Sequence, residues 1–369
     1  MHSISFTYIL DVESVYHSQA MEISFILLLR AILLLIAGPC VFSAVVPALI
    51  SFGDSTVDAG NNNHLLTLAK SNHPPYGRDF PGRKITGRFS NGFIAIDYVA
   101  SMLGLGSATV GYLNPEAKGD NIVRGVSFAS GGSGLYHGTA QIYNVISLDD
   151  QLKLYRQYRE DLAHVVGAAN SSRILSDAVY LISIGSNDYL NNYYVNIILG
   201  IEYNRRQYRN HLLNILSGFL AELRNMGARR VVVASLPPFG CLPSQITLYG
   251  LGKETCLQKL NKEASIFNSK MLKLLQMFNG TDGMKIAYLD IFSQLYDAAR
   301  FPAKYGFVEG RRGCCGTGRL EASILCNKFS IGTCENASKY VFWDSFHPSD
   351  RMNFLIAKTQ LPKALQQLL

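Results

Sequence analysis

Five short runs dense in Val, Ile, Tyr and Phe, at residues 46–52, 122–129, 178–184, 230–236 and 284–291, alternate along this chain with longer amphipathic stretches. In those stretches, 91–103, 152–166, 205–226, 260–278 and 352–368, apolar residues return every three or four positions, which is the period of a helix with one buried face. Near-continuous apolar strands leave no face for water, and intervening helices supply the long crossovers that parallel pairing requires. The pattern predicts an α/β fold with a mainly parallel, five-stranded sheet covered on both faces in three layers. No internal repeat or low-complexity linker interrupts it, so residues 44–369 are expected to form a single domain.

The amino end stands apart. Residues 23–37 are apolar except for Ser24 and Arg30, and lead through Gly38, Pro39 and Cys40 to small residues at Ser43 and Ala44. The uninterrupted apolar part is shorter than the roughly 20 residues a spanning helix needs, and no cationic stop-transfer cluster follows. Residues 1–43 are therefore expected to be an extension plus a cleavable signal peptide, with Met21 the working start, and the mature chain to be secreted without a stable membrane span. Cysteine usage points the same way. Beyond Cys40 there are six cysteines, Cys241, Cys256, Cys314, Cys315, Cys326 and Cys334, and an even number in an exported chain predicts up to three disulfides. Cys241 with Cys256 is the expected local pair, and the other four leave three pairings open. The sequons at Asn170, Asn279 and Asn336 would accept glycans on that route.

Charge excludes more than it selects. Lys and Arg total 34 against 27 Asp and Glu, a net +7, without the clustered basic stretch of a nucleic-acid footprint. The cysteine spacing lacks the paired arrangement of common zinc sites, and the chain has no phosphate-binding loop, no His-Glu-x-x-His and no dinucleotide fingerprint. No metal, cofactor or nucleic-acid partner is expected. His64, His73, His137, His164 and His211 have no catalytic context and are read as structural.

In a doubly wound sheet, ligands bind beyond the carboxyl ends of the strands. The residues there are small and polar: Gly53-Asp54-Ser55-Thr56, Ser130-Gly131-Gly132-Ser133-Gly134 and Gly185-Ser186-Asn187-Asp188. Ser55 follows the first strand at an expected helix start, where a hydroxyl is accessible and N–H groups face a developing negative charge. Ser55 to Asp58 also fits a weak capping box in which the serine only caps. Near the carboxyl end, Asp344 precedes His347 by three residues, and Pro348 is expected in the first turn of the last helix with His347 at its cap. A carboxylate so placed can take the imidazole Nδ1–H and leave Nε2 free to accept a serine proton. A backbone N–H of the glycine pair and the Asn187 amide could serve as oxyanion donors.

Four segments, Ser51–Asn63, Gly125–Gly134, Ser183–Tyr189 and Val341–Pro348, together resemble the conserved blocks of plant-type GDSL esterases/lipases, in the same order and at similar spacing. These enzymes belong to the SGNH hydrolases. The resemblance implies a flavodoxin-like α/β/α fold with Ser55 as nucleophile, His347 as general base and Asp344 as its orienter. It also implies an oxyanion hole made of the Ser55 N–H, a glycine of the second block, counted as Gly132, and Asn187. Two positions depart from the family pattern: Thr56 replaces the leucine of the family's name, and Ser127 stands where many members carry asparagine. The implied activity is hydrolysis of lipid or other acyl esters through an acyl-enzyme, with a small-molecule or lipid ester as partner. Acyl transfer to another alcohol, carbohydrate deacetylation and a non-catalytic glycoprotein remain the alternatives. Specificity is expected to reside in the stretches around 64–85, 187–203 and 301–340.

Overall fold

The computed structural model describes residues 46–368, so the expected signal peptide, Met21 and Cys40 lie outside the described residues. Four strands, β1 (Leu49–Gly53), β2 (Val179–Ser183), β3 (Arg230–Ala234) and β4 (Lys285–Leu289), form a parallel sheet in the order β1-β2-β3-β4. Every residue of β1 and β2 is buried, as a sheet covered on both faces demands.

The fifth expected strand, 122–129, is the one departure in the sheet. Its first residue closes a 3₁₀ turn (Gly119–Ile122), and Gly125 takes φ +91°, where an added Cβ would sit 2.0 Å from the Leu49 carbonyl oxygen. The segment nonetheless runs parallel beside β1. Leu49 N–H donates to Arg124 O, Ser51 N–H to Val126 O, Phe128 N–H to Ser51 O and Ser130 N–H to Gly53 O, at 2.8–3.1 Å. It acts as a fifth lane of the sheet joined by an isolated bridge rather than a ladder, and it places Gly131 and Gly132 beside the end of β1. With this lane counted, the spatial order is that of flavodoxin-like sheets, whose switch point falls between β1 and β2.

Five long helices match the amphipathic stretches: α1 (Ala95–Met102), α2 (Leu148–Val166), α3 (Arg205–Asn225), α4 (Gln258–Phe278) and α5 (Asp350–Leu368). Between one face of the sheet and α2, α3 and α4 lies an aromatic core in which Phe52 stacks on Phe128 at 5.2 Å and meets Phe219 and Tyr155 edge-on. On the other face α1 and α5 bury Val99, Leu103, Ala357 and Leu361 against Leu49, Leu181 and Val232. Among the described residues no helix is long and apolar enough to cross a membrane.

A small parallel pair, β5 (Glu309–Gly313) and β6 (Tyr340–Phe342), carries the chain into the Asp344–His347 turn. The six described cysteines form three disulfides, Cys241–Cys256, Cys314–Cys334 and Cys315–Cys326. Cys241–Cys256 is the pair expected, and the last two resolve the pairing that spacing left open. Cys314, Cys315 and Cys326 pack around Tyr76 and Trp343 in a third core of their own. The side chains of Asn170, Asn279 and Asn336 are exposed.

Candidate active site

Gly53 ends β1 with φ +144°, and a Cβ there would lie 1.9 Å from Ser183 O, so the chain turns where only glycine fits. The turn is braced from α2. The buried Gln151 carboxamide accepts the Gly53 N–H and donates to Gly53 O, both at 2.9 Å, as a neighbouring strand would. No helix starts at Ser55; residues 55–57 make a turn, and a 3₁₀ turn follows at Asn61–His64. Asp58 is accordingly no helix-capping residue for Ser55. Its carboxylate accepts the N–H groups of Gly60, Asn61 and Gly131 at 2.7–2.9 Å. Burial pushes this carboxyl up to about 6, against those lowering hydrogen bonds.

Thr56, one of the departures from the family pattern, has a definite place. Its hydroxyl donates to Asp54 Oδ1 and bonds Ser183 Oγ, each at 2.7 Å, tying the turn to β2. Burial raises the Asp54 carboxyl above the ordinary range. Ser127, the other departure, donates its hydroxyl to Val57 O at 2.7 Å. Asn61 Nδ2 reaches Ser127 O and Ala129 O, and Asn62 Nδ2 reaches Ala69 O and Gly131 O. The first block thus fastens the second.

The Asp344–His347 turn meets Ser55 from the far end of the chain. His347 Nε2 lies 2.7 Å from Ser55 Oγ, and His347 Nδ1 lies 2.7 Å and 2.8 Å from the two oxygens of Asp344. Asp344 is fully buried and also accepts the N–H groups of Phe346 and His347 and the Tyr76 hydroxyl. Pro348 is not in the last helix. Trp343 N–H donates to His347 O, Pro348 bridges back to Phe342, and Ser349 precedes α5, accepting the N–H groups of Met352 and Asn353. His347 therefore sits in a closed loop two residues before the position expected.

Ser55, Gly132, Asn187 and His347 line one cleft of about 520 Å³. Gly131 donates its N–H to Asp58, whereas among the described residues neither the Ser55 N–H nor the Gly132 N–H has a partner. Asn187 donates one amide hydrogen to Ser133 O at 2.8 Å and accepts from Asn191 through Oδ1, leaving its second amide hydrogen for the cleft. The opposing groups Ser55 and Asn187 are each 8% exposed, so a reacting carbonyl would be largely screened from water. The walls are apolar, with Phe89, Leu190, Leu242 and Phe346 deep and Leu68 and Leu325 at the mouth, 69% and 60% exposed. All three expected stretches contribute, through Leu68, Leu190 and Leu325. Ile142, Tyr143, Pro237 and Leu242 were not expected there. Among the described residues no group of His, Cys, Asp and Glu is arranged to hold a metal.

A parallel sheet in flavodoxin-like order with this serine, histidine and aspartate at its carboxyl edge defines a three-layer α/β/α hydrolase, and the Gly-x-Ser-x-Gly elbow that marks the separate α/β-hydrolase fold is absent around Ser55. The chain belongs to the GDSL-like lipase/acylhydrolase family, whose model matches residues 49–359. Two Arabidopsis thaliana proteins named as GDSL esterases/lipases are each 47% identical, over 331 and 332 residues, which is 89% of this chain and 94% of each relative. A third, GDSL esterase/lipase APG of the same plant, is 43% identical over 321 residues, 86% of this chain and 90% of that one.

Proposed function

We propose that this protein is a secreted serine esterase/lipase that cleaves lipid or other acyl esters through an acyl-enzyme on Ser55. Its family makes the chain a hydrolase of carboxylic esters. The finer reading rests on one observation, the 2.7 Å contact of Ser55 Oγ with His347 Nε2 while His347 Nδ1 faces buried Asp344.

With Nδ1–H donated to Asp344, Nε2 carries the lone pair and takes the Ser55 proton as Oγ attacks the ester carbonyl. The negative charge that develops on the carbonyl oxygen meets the Ser55 N–H, the Gly132 N–H and the free Asn187 amide hydrogen. One such donor is worth roughly 3–4 kcal/mol of barrier. The imidazolium returns its proton to the departing alcohol, leaving Ser55 acylated. Water then gives a proton to Nε2 while its oxygen attacks the acyl carbon, and collapse releases the acid as Ser55 Oγ regains the proton.

The apolar walls support an acyl group of several carbons over an acetyl group on a sugar, since each buried methylene contributes about 0.8 kcal/mol. Secretion of one hydrolase domain after a leader is supported by the apolar run at 23–37, the three disulfides and the exposed sequons.

Titration of the purified exported protein with a fluorescent alkyl phosphonate tests this. One label per chain is expected for the wild type and none for Ser55→Ala of equal thermal stability, with an amino terminus near residue 44 by mass spectrometry. Retained labelling or turnover in the alanine variant would overturn the assignment.

A further inference from the structure

Tyr76 is buried among Trp343 and Phe89, with ring centroids 6.0 Å and 6.1 Å away, and its hydroxyl reaches Asp344. That hydroxyl donates to Asp344 Oδ2 at 2.7 Å and accepts the Ser323 N–H at 2.8 Å. Burial, reinforced by the Asp344 charge, holds the phenol well above its ordinary range, so it remains a neutral donor.

Ser323 belongs to the segment closed by Cys315–Cys326, whose Leu320, Ala322, Ile324 and Leu325 form one wall of the cleft. Its backbone is fixed in place by its own side chain. Ser323 Oγ donates towards Leu68 O and Lys70 O and accepts the Lys70 N–H, at 2.7–2.9 Å, and the residue holds φ +51°. A second tie runs from Ser345 N–H to Glu321 O at 2.9 Å. The wall and the aspartate are thus joined by a two-bond chain, Ser323 N–H to Tyr76 OH to Asp344 Oδ2. A hydroxyl that accepts a hydrogen bond donates a stronger one, so the position of the wall bears on how firmly the carboxylate is held.

We propose that Tyr76 is a positioning residue for Asp344, and that the disulfide-closed segment around Ser323 sets its donation, coupling the cleft wall to the basicity of the reacting imidazole. The inference rests on the proposed roles of Ser55, His347 and Asp344. With the Tyr76 hydrogen bond in place, part of the Asp344 charge is satisfied away from His347. Without it, Oδ2 faces the imidazole alone, the protonated ring gains, and His347 is freed as a base only at higher pH.

Tyr76→Phe keeps the ring packing and removes only the donor. Its kcat is expected to fall about tenfold at neutral pH with KM nearly unchanged, and the acid limb of its kcat/KM profile to move to higher pH. Ser323→Ala, which loses the three bonds that fix the segment, should move that limb the same way by less. A loosening of structure alone would lower the plateau without moving the limb, and an unmoved limb in folded Tyr76→Phe overturns the role of Tyr76. A limb that moves in Tyr76→Phe but not in Ser323→Ala overturns the coupling to the wall. Phosphonate labelling at Ser55 is read in the same samples, so that failure of the catalytic assignment itself is seen separately, as loss of labelling in the wild type.

Discussion

The Asp58 carboxylate accepts the Gly131 N–H at 2.9 Å, and this bond decides which of two adjacent glycines keeps a free N–H facing the cleft. Gly131 is occupied, so Gly132, at φ +90°, presents the open donor. The Asn61 and Asn62 amides hold the carbonyls on either side of the same turn. The loop is therefore set by contacts from the first block together with glycines where a side chain would not fit, Gly132 at positive φ and Gly131 against Phe89.

Asp58→Asn replaces an acceptor facing Gly131 by an amide donor in one orientation, or unpairs Gly60 and Asn61 in the other. With the loop displaced, kcat should fall about 100-fold while KM changes little, as for loss of an oxyanion donor. Stability should respond in a pH-dependent way. The folded carboxyl lies near 6 against an ordinary 3.8, so its favourable contribution is full below about pH 4 and is lost as pH rises through about 6. Urea unfolding at pH 4.5 and pH 7.5 should show a wild-type loss of stability larger than the variant's by about 2 kcal/mol. Buried Asp188, raised to about 7, has the same sign and remains in both proteins, so the difference between them isolates Asp58.

Asn187→Leu removes a side-chain donor at the cleft while keeping bulk. Steady-state kinetics should give a loss of about 10²–10³ in kcat with KM within a few-fold. An equal rise in KM with kcat preserved would mean that Asn187 contributes only ground-state binding.

Thr56→Val deletes the hydroxyl that joins Asp54 to Ser183 and leaves the shape nearly unchanged. Denaturant unfolding should show a cost of about 1–3 kcal/mol for the unpaired buried groups. Turnover of the folded variant should stay within a few-fold of wild type, because the hydroxyl does not touch Ser55 Oγ or His347.

Cys241→Ala combined with Cys256→Ala opens a disulfide spanning 15 residues beside Leu242 in the cleft wall. The expected cost is about 3 kcal/mol, measured as a fall in urea midpoint. Because the wall loosens without disturbing Ser55 or His347, kcat/KM for long-chain esters should drop more than that for acetyl esters.

What local pattern can express was legible: four strands as short, near-continuous apolar runs and five helices through their 3.6-residue repeat. β5 escaped it because Glu309-Gly-Arg-Arg-Gly313 carries charge and glycine where strands usually carry branched side chains, and its pairing with β6 is what makes it a strand. The residue types of the site could be read from short motifs at strand exits. The groups that hold it could not. Gln151 grips Gly53 across 98 residues, and Tyr76 reaches Asp344 across 268, and no local spacing marks either. His347 was misplaced for a related reason: Pro348 suits a helix start, but its bridge to Phe342 and the cap at Ser349 win.

The contact between Ser55 and His347 closes a span of 292 residues, with nearly the whole described chain inside it. On a ribosome, Ser55 leaves the exit tunnel long before its partner has been synthesised, and no amino-terminal fragment that ends before residue 347 contains both. Folding of the early strands can proceed, but the two halves of the site meet only after translation has nearly ended. A chain cut short before residue 344 would lack His347, the Phe346 wall and the α5 layer, so that, on the proposed role of Ser55, ester cleavage would serve as a readout of synthesis through the last helix.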